Sequence, residues 1–135
     1  MKSFMSKYSS YCYALMRIVV GFLFLWHGAQ KLFGFPSPMP PGVPLFITYV
    51  GGSIELIGGI LVMVGLFTPW AAFITSGEMA VAYWMAHGTK ALLPIQNGGE
   101  LAVVYCFVFL FIAAQGSGIW SVDSLMVSSG KSPDR

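Results

Sequence analysis

Four apolar stretches, each close to the roughly 20 residues that a helix needs to cross a bilayer, occupy most of this 135-residue chain. Short connections join them, and they cover residues 11–33, 45–67, 69–87 and 99–119. The chain is 56% hydrophobic and only 9% charged, unlike a soluble domain. We therefore predict an all-α fold, a four-transmembrane-helix bundle formed by residues 1–125, with a disordered tail at 126–135.

The basic residues that flank the stretches predict the orientation of this bundle. Four crossings put both termini on one side of the membrane, and the two sides carry Lys2, Lys7, Lys131 and Arg135 against Lys31 and Lys90. The positive-inside rule places both termini in the cytoplasm, and in a bacterium the membrane would be the inner membrane. Because Arg17 interrupts a long first stretch, we expect this stretch to remain as a span rather than to act as a cleaved signal.

Two glutamates lie near the middle of apolar stretches, where an ionisable group is a functional-site hypothesis by default. Counted from Thr68 in the turn between the second and third stretches, Glu55 lies 13 residues earlier and Glu78 ten residues later. Helical rise then separates their depths by only about 4–5 Å. We predict that the two carboxyls share a layer, either sharing a proton or held ionised by a cation between them.

Basic residues on the first predicted helix extend these glutamates into a polar column. Helical rise orders the groups by depth as Lys31, His27, Glu55, Glu78 and Arg17, starting from the non-cytoplasmic end. His87 and Glu100 lie near the same end of the third and fourth helices. Such a column could pass protons or hold the polar head of a lipid-soluble ligand.

Each polar group also has a structural interpretation. Glu55 could be satisfied by a partner on another helix, with Gly51 and Gly59 on the same face serving close helix packing. Arg17 could form a structural ion pair with Glu78. These alternatives stay open from the sequence alone.

The groups at the non-cytoplasmic end have structural alternatives too. His27 and Lys31 are four residues apart and could mark an interfacial helix end, with the lysine reaching towards the headgroups. Asn97 and Glu100 have the spacing of a capping box that opens the fourth helix. The histidines and glutamates match no dedicated metal motif, so we predict no metal site. A net charge of +2 is too small to suggest nucleic-acid binding.

The order of these residues resembles the DoxX family of small four-helix membrane proteins. The resemblance covers roughly residues 13–125, and Pro69 departs from it, since a basic residue often stands at that position in the family. The pattern consists of His27-Gly28-x-x-Lys31-Leu32, Glu55 before Gly58-Gly59-x-Leu61, Gly65-Leu66-x-Thr68, Glu78-Met79 with Ala82, Asn97-Gly98-Gly99-Glu100 with Tyr105, and Ser121-x-Asp123.

The resemblance implies a place in a membrane oxidoreductase system. Some members of the family resemble a subunit of a thiosulfate:quinone oxidoreductase, and others act beside partner enzymes in redox defence. Under this hypothesis the polar interior of the bundle binds a quinone-like ligand or handles its protons. Glu55 and Glu78 would be the proton-accepting pair, His27 a relay or a hydrogen-bond donor to the ligand, and Arg17 the charge-balancing partner. The expected ligand-binding residues are Arg17, Lys31, His87, Asn97, Glu100 and Tyr105.

The sequence shows no haem ligand pair, flavin motif or cysteine couple, so electrons would have to come from a partner redox protein or a bound quinone. No cofactor is certain, and a quinone is the candidate. The alternative is a non-catalytic scaffold or a small carrier in which the acids join helices, and proton-coupled transport is a third option. The glycine-lined faces could equally serve packing in a homo-oligomer.

Overall fold

The computed structural model describes residues 3–129, and all regular structure in that range is helical, which confirms the predicted all-α class. A short 3₁₀ helix at Ser6–Tyr8 leads into the first long helix, and a π-helical segment at Ile47–Gly51 runs directly into the second. The six α-helices are α1 (Ser9–Phe33), α2 (Gly52–Val64), α3 (Thr68–Ala86), α4 (Pro94–Asn97), α5 (Glu100–Gln115) and α6 (Val122–Ser129).

Two helical stretches within the described residues are long and apolar enough to cross a membrane. They are Ser6–Phe33 and Ile47–Val64, each including the irregular turn at its start. α5 is apolar but shorter, with 16 residues. By length and composition the first two predicted spans are thus supported, while crossings by α3 and α5 stay predictions.

The C-terminal part of the chain departs from the predicted boundaries. α5 ends at Gln115 rather than near 119, because Gly116 adopts a φ of 83° that a helix cannot contain. Residues 126–129, assigned to a disordered tail, belong instead to α6. The Ser121 hydroxyl accepts the amide of Ser124 at 3.2 Å, which starts this last helix. Residues 130–135 of the predicted tail lie outside the described part of the chain.

α1 packs against α2, and α3 packs against α5. Glycines allow the first pair to approach closely: a Cβ on Gly59 would lie 2.7 Å from the backbone nitrogen of Leu25, and a Cβ on Gly52 would lie 2.9 Å from the Cβ of Lys31. In the second pair, the Ser76 hydroxyl donates to the Cys106 carbonyl at 2.7 Å. The predicted packing role of glycine is therefore confirmed at Gly59, and Gly52 allows the same close approach.

Aromatic side chains from α1 and α5 form the centre of the core. The ring centroid of Phe24 lies 5.0 Å from that of Tyr105 and 4.7 Å from that of Phe109, and all three residues are buried. The outer faces of the helices carry many exposed large apolar side chains, among them Leu15, Val19, Phe22, Phe73, Trp84 and Phe107. An apolar exterior of this extent is suited to contact with lipid rather than water.

Candidate functional site

A cavity of about 520 Å³ lies between α1, α2, α3 and α5, within the size range of small-molecule sites. Its walls are mostly apolar, with Phe24 and Met79 at the core side. Six of the residues proposed from the sequence line it: Glu55, Glu78, His27, Lys31, His87 and Tyr105. The structure therefore brings together the predicted acids and most of the groups expected around them.

Glu55 is buried, with 2% of its surface exposed, and it projects from α2. Its Oε1 forms an ion pair with the ammonium group of Lys31 on α1, whose side chain is 18% exposed. The other carboxyl oxygen, Oε2, is buried and has no hydrogen-bond partner among residues 3–129. Glu55 is thus held by one cation through one oxygen, and its second acceptor stands ready for another donor.

Glu78 faces the same cavity from α3. Its Oε2 is also buried without a hydrogen-bond partner in the described part of the chain. Its Oε1 lies beside Gly51, because a Cβ built on Gly51 would come within 3.5 Å of that oxygen. Within residues 3–129, Lys31 is the one lysine or arginine in the cavity wall, so a single fixed cation faces two carboxyl groups.

Aromatic and imidazole rings complete the polar part of the wall. His27 stands one turn before Lys31 on α1, and its ring packs edge-on against Tyr105 with 5.9 Å between centroids. His87 lies just after the end of α3, where its Nδ1 is 2.9 Å from the carbonyl oxygen of Asn97. The cavity therefore offers one imidazole near the acids and a second at the end of α3.

Asn97 and Glu100 do not line the cavity. The Asn97 amide donates to the Tyr83 hydroxyl and to the Ala91 carbonyl, both at 3.1 Å, and its Oδ1 accepts the amide of Gly99 at 2.8 Å. Glu100 is exposed and is the first residue of α5. The N-cap of α5 is Gly99 rather than Asn97, so the predicted capping box does not form. Through these hydrogen bonds, Asn97 instead stabilises the connection between α3 and α5.

Arg17 lies far from the glutamates, although the sequence suggested that it balances their charge. It is fourteen residues from Lys31 on α1, or about 21 Å along the helix. Its fully buried guanidinium donates to the carbonyls of Val62 at 2.7 Å, Met63 at 2.8 Å and Trp120 at 2.6 Å. Arg17 therefore neutralises the carbonyl end of α2, where a cation is favoured.

Asp123 performs the matching function at the start of α3. Its carboxylate accepts the amides of Phe67 at 2.9 Å and Thr68 at 3.1 Å, and the Thr68 hydroxyl at 3.0 Å. α3 begins at Thr68, and the carboxylate that caps its first amides comes from Asp123. Burial raises the pKa of Asp123, yet these hydrogen bonds and the charge of Arg17 together lower it below its ordinary value.

Two glycines in the cavity wall, Gly51 and Gly77, are not required for close packing against another helix. A Cβ on Gly77 would meet no atom of residues 3–129 within 4 Å, apart from its own neighbourhood in the helix, and a Cβ on Gly51 would meet only Glu78. Gly51 had been predicted to pack against another helix, and it lies in the π-helical segment instead. Such segments are frequent at functional sites. Gly77 carried no signal beyond standing next to Glu78, so the sequence interpretation missed it.

The DoxX family model matches residues 13–88, which is more than half of the chain. The chain belongs to the DoxX family. The matched region contains α1, α2 and α3, and therefore Glu55, Glu78, His27 and Lys31. Tyr105 lies beyond it, on α5.

Relatives of this DoxX protein occur in distant bacteria. It is 41% identical to an uncharacterized protein of Haemophilus influenzae, over 89% of this chain and 94% of that one. It is 31% identical to "Uncharacterized membrane protein Rv3486" of Mycobacterium tuberculosis, over 80% and 77%. It is 27% identical to "Putative oxidoreductase CatD" of Bacillus subtilis, over 87% and 88%. No solved structure matches. The family and these relatives identify a membrane protein.

Proposed function

We propose that this DoxX protein is an integral membrane subunit of an oxidoreductase system, and that its cavity binds the head group of a quinone-like lipophilic ligand and handles its protons. The observation that carries the proposal is the pair of buried carboxyl oxygens, Oε2 of Glu55 and Oε2 of Glu78, left without a partner among residues 3–129 in a mainly apolar cavity. A distant relative bearing the name of an oxidoreductase adds support.

The two carboxyl oxygens favour a ligand site over a purely structural role. A buried acceptor without a partner costs about 1–3 kcal/mol, more when it is charged, and nearly all buried polar groups in proteins are therefore paired. The Oε2 atoms of Glu55 and Glu78 belong to residues that line open volume, and no neighbouring side chain within residues 3–129 satisfies these two oxygens. A small molecule with a polar head and an apolar body would satisfy the oxygens and fill the remaining space.

Access from the lipid favours a lipophilic ligand. Phe46, Val50, Ile74 and Val81 line the cavity and are also exposed on the outer surface of the protein. They belong to the N-terminal part of the second helical stretch and to α3. A membrane-dissolved molecule would enter sideways between these two segments without passing through water.

Proton handling is assigned to the polar side of the cavity. Glu55, kept ionised by Lys31, and Glu78 would accept protons from the bound head group, and His27 would relay them towards the helix end that carries Lys31. His87 would form part of the mouth of the cavity. Electrons would pass to or from a partner redox protein.

The same proposal includes the membrane topology. α1, the second helical stretch, α3 and α5 would cross the bilayer, so that the protein is a multi-pass protein with both termini in the cytoplasm, in the inner membrane of a bacterium. Two stretches with the required length and composition and the apolar outer faces support this arrangement. Single cysteines placed at Lys7 and Lys90 would test it, since a membrane-impermeant thiol reagent should label only Lys90→Cys from outside.

Binding of a short-chain benzoquinone and of its reduced hydroquinone to the purified protein in lipid nanodiscs tests the function. Quenching of tryptophan fluorescence would report the affinity, and mass spectrometry of the protein extracted in native lipid would report what it already carries. We expect the wild type to bind at least one of the two forms, and we expect the Glu55→Gln, Glu78→Gln double variant to bind the more tightly bound form at least about 10-fold more weakly.

Glu100→Gln is the matched control, because Glu100 is exposed and outside the cavity. It should bind as the wild type does. Equal affinity in the double variant would contradict the proposal. A double variant that fails to assemble would instead favour the scaffold alternative, with the glutamates as structural residues.

A further inference from the structure

We infer that the cavity selects the reduced, hydroxyl-bearing form of such a ligand, a dihydroxy-aromatic head group of the hydroquinone type, over the oxidised quinone. The inference rests on the proposed function and specifies which chemical form the site binds. It follows from the balance of hydrogen-bond donors and acceptors in the wall and from the shape of the space beside the glutamates.

The unsatisfied atoms of the cavity are acceptors. Lys31 pairs with the Oε1 of Glu55, and in the ionised form of Glu55 the free Oε2 can only accept a hydrogen bond. Glu78 adds a second buried oxygen without a partner among the described residues. If Glu78 holds a proton, its carboxyl can donate, but Glu55 still presents an acceptor. At least one buried carboxyl oxygen therefore needs a donor from a ligand.

Two of the donors expected from the sequence are engaged outside the cavity. Arg17 donates to backbone carbonyls at the end of α2, and the amide of Asn97 donates to Tyr83 and Ala91. Lys31 is held by Glu55. Lys31, His27 and Tyr105 still present donor hydrogens to the cavity, so a ligand that accepts from them and also donates to the carboxyl oxygens would pair the largest number of groups.

This balance discriminates between the two redox forms. A quinone carries only carbonyl acceptors and would place oxygen against carboxylate oxygen, leaving the buried carboxyls unpaired. A hydroquinone of the same size carries two hydroxyl donors, and each can donate to a carboxyl oxygen. Sites whose buried polar groups pair with a hydroxyl discriminate strongly against analogues that lack it.

Space for an aromatic ring lies directly beside the carboxyls. Gly77 adjoins Glu78 in the chain, and Gly51 lies over the Oε1 of Glu78. Because a Cβ at either position would meet no backbone, helix packing does not require these glycines, in contrast to Gly59. Together with the buried Glu55 and its unpartnered oxygen in the same wall, they leave open space beside the carboxyls that an aromatic ring can occupy.

Three probes of matched size test the inference: a short-chain hydroquinone, its quinone and its dimethyl ether. Binding to the protein in nanodiscs would be measured by calorimetry, without oxygen and with a reductant in the hydroquinone experiment. We expect the hydroquinone to bind at least about 10-fold more tightly than either of the other probes. Glu78→Gln should reduce this preference, whereas the exposed-site variant Glu100→Gln should keep it.

The outcomes separate the inference from the function beneath it. If the quinone binds as tightly as the hydroquinone or more tightly, the inference is overturned and the proposed function stands. If none of the three probes binds, the proposed function itself is overturned.

A variant of Gly77 tests the location of the site. Gly77→Leu fills open space, so it should keep the thermal stability of the wild type and lose binding of all three probes. Unchanged hydroquinone binding by a folded Gly77→Leu protein would show that the ring does not lie beside Glu78 and would overturn the assignment. Gly77→Ala, a smaller change at the same position, should weaken binding less.

Discussion

Two groups of charged side chains lie about 21 Å apart along α1, measured from Arg17 to Lys31, and they are paired differently. At the turn between α2 and α3, the Arg17 guanidinium donates to backbone carbonyls and the Asp123 carboxylate accepts backbone amides, and only the Nε of Arg17 is buried there without a partner in residues 3–129. In the cavity, Glu55 and Glu78 each keep a buried oxygen without a partner in residues 3–129. The first group stabilises helix ends, whereas the second leaves two buried acceptors for a ligand.

The difference follows from where each group meets the helices. A helix end presents unpaired carbonyls or amides, and the dipole favours a cation at the C-terminus and an anion at the N-terminus. Arg17 and Asp123 meet these two ends respectively. Arg17 is fully buried, so water cannot replace it at the end of α2. In the middle of a helix the backbone is already bonded, and Glu78 has no such groups to meet.

Replacing Arg17 should have the largest effect on stability. Arg17→Met leaves the carbonyls of Val62, Met63 and Trp120 buried without a donor, and we expect a loss of about 3 kcal/mol in the free energy of unfolding. Thermal unfolding in detergent, followed by circular dichroism, would measure it. Arg17→Lys should be intermediate, because an ammonium group cannot reach the same set of carbonyls as the planar guanidinium. An Arg17→Met protein as stable as the wild type would contradict the claim that Arg17 stabilises the fold.

Two glycine substitutions contrast the packed face of α2 with the cavity wall. Gly59→Ala places a methyl group 2.7 Å from the backbone of Leu25 and should cost about 2 kcal/mol. Gly77→Ala meets open space and should be neutral or stabilising by up to about 1 kcal/mol, since alanine favours helix. Denaturation of both variants under the same conditions would compare them. Equal destabilisation would mean that Gly77 is a packing residue too.

Asp123→Asn should have a smaller effect that depends on pH. The pKa of Asp123 is lowered in the folded protein, so its contribution to stability is present above the ordinary value of roughly 4 and is lost as the pH falls through the folded pKa below it. We expect the variant to be less stable by about 1 kcal/mol at pH 7 and the difference to shrink between pH 5 and pH 3. A difference that stayed constant over this range would exclude a charge effect.

The sequence predicted the helical class and the position of the acids because both depend on local patterns. Apolar stretches set the helices, and the register of the turn at Thr68 placed Glu55 and Glu78 at similar depth. Both residues line one cavity in the structure. What local patterns cannot provide is the partner of a charge that lies far away in the chain.

Arg17 illustrates this limit. From the sequence alone, Arg17 pairs with a glutamate because the two side chains have opposite charges. Backbone carbonyls compete for a guanidinium, and the sequence does not show which carbonyls lie near it. The sequence does not predict that Asp123 caps α3 for the same reason, although Ser121-x-Asp123 belongs to the family pattern. The glycines at 51 and 77 needed coordinates, because only the surrounding space separates a packing glycine from one that leaves room.

The most direct test of the account is the thermal stability of Glu78→Gln with and without a short-chain hydroquinone. Without ligand, the account predicts that thermal unfolding gives Glu78→Gln a free energy of unfolding within about 0.5 kcal/mol of the wild-type value. The reason is that Glu78 has no partner to lose among the described residues. A ligand at 100 times its Kd stabilises a protein by about 2.7 kcal/mol, so the wild type should show a clear rise that shrinks in the variant. A variant that unfolds as Arg17→Met does, yet keeps the full rise, would contradict the account.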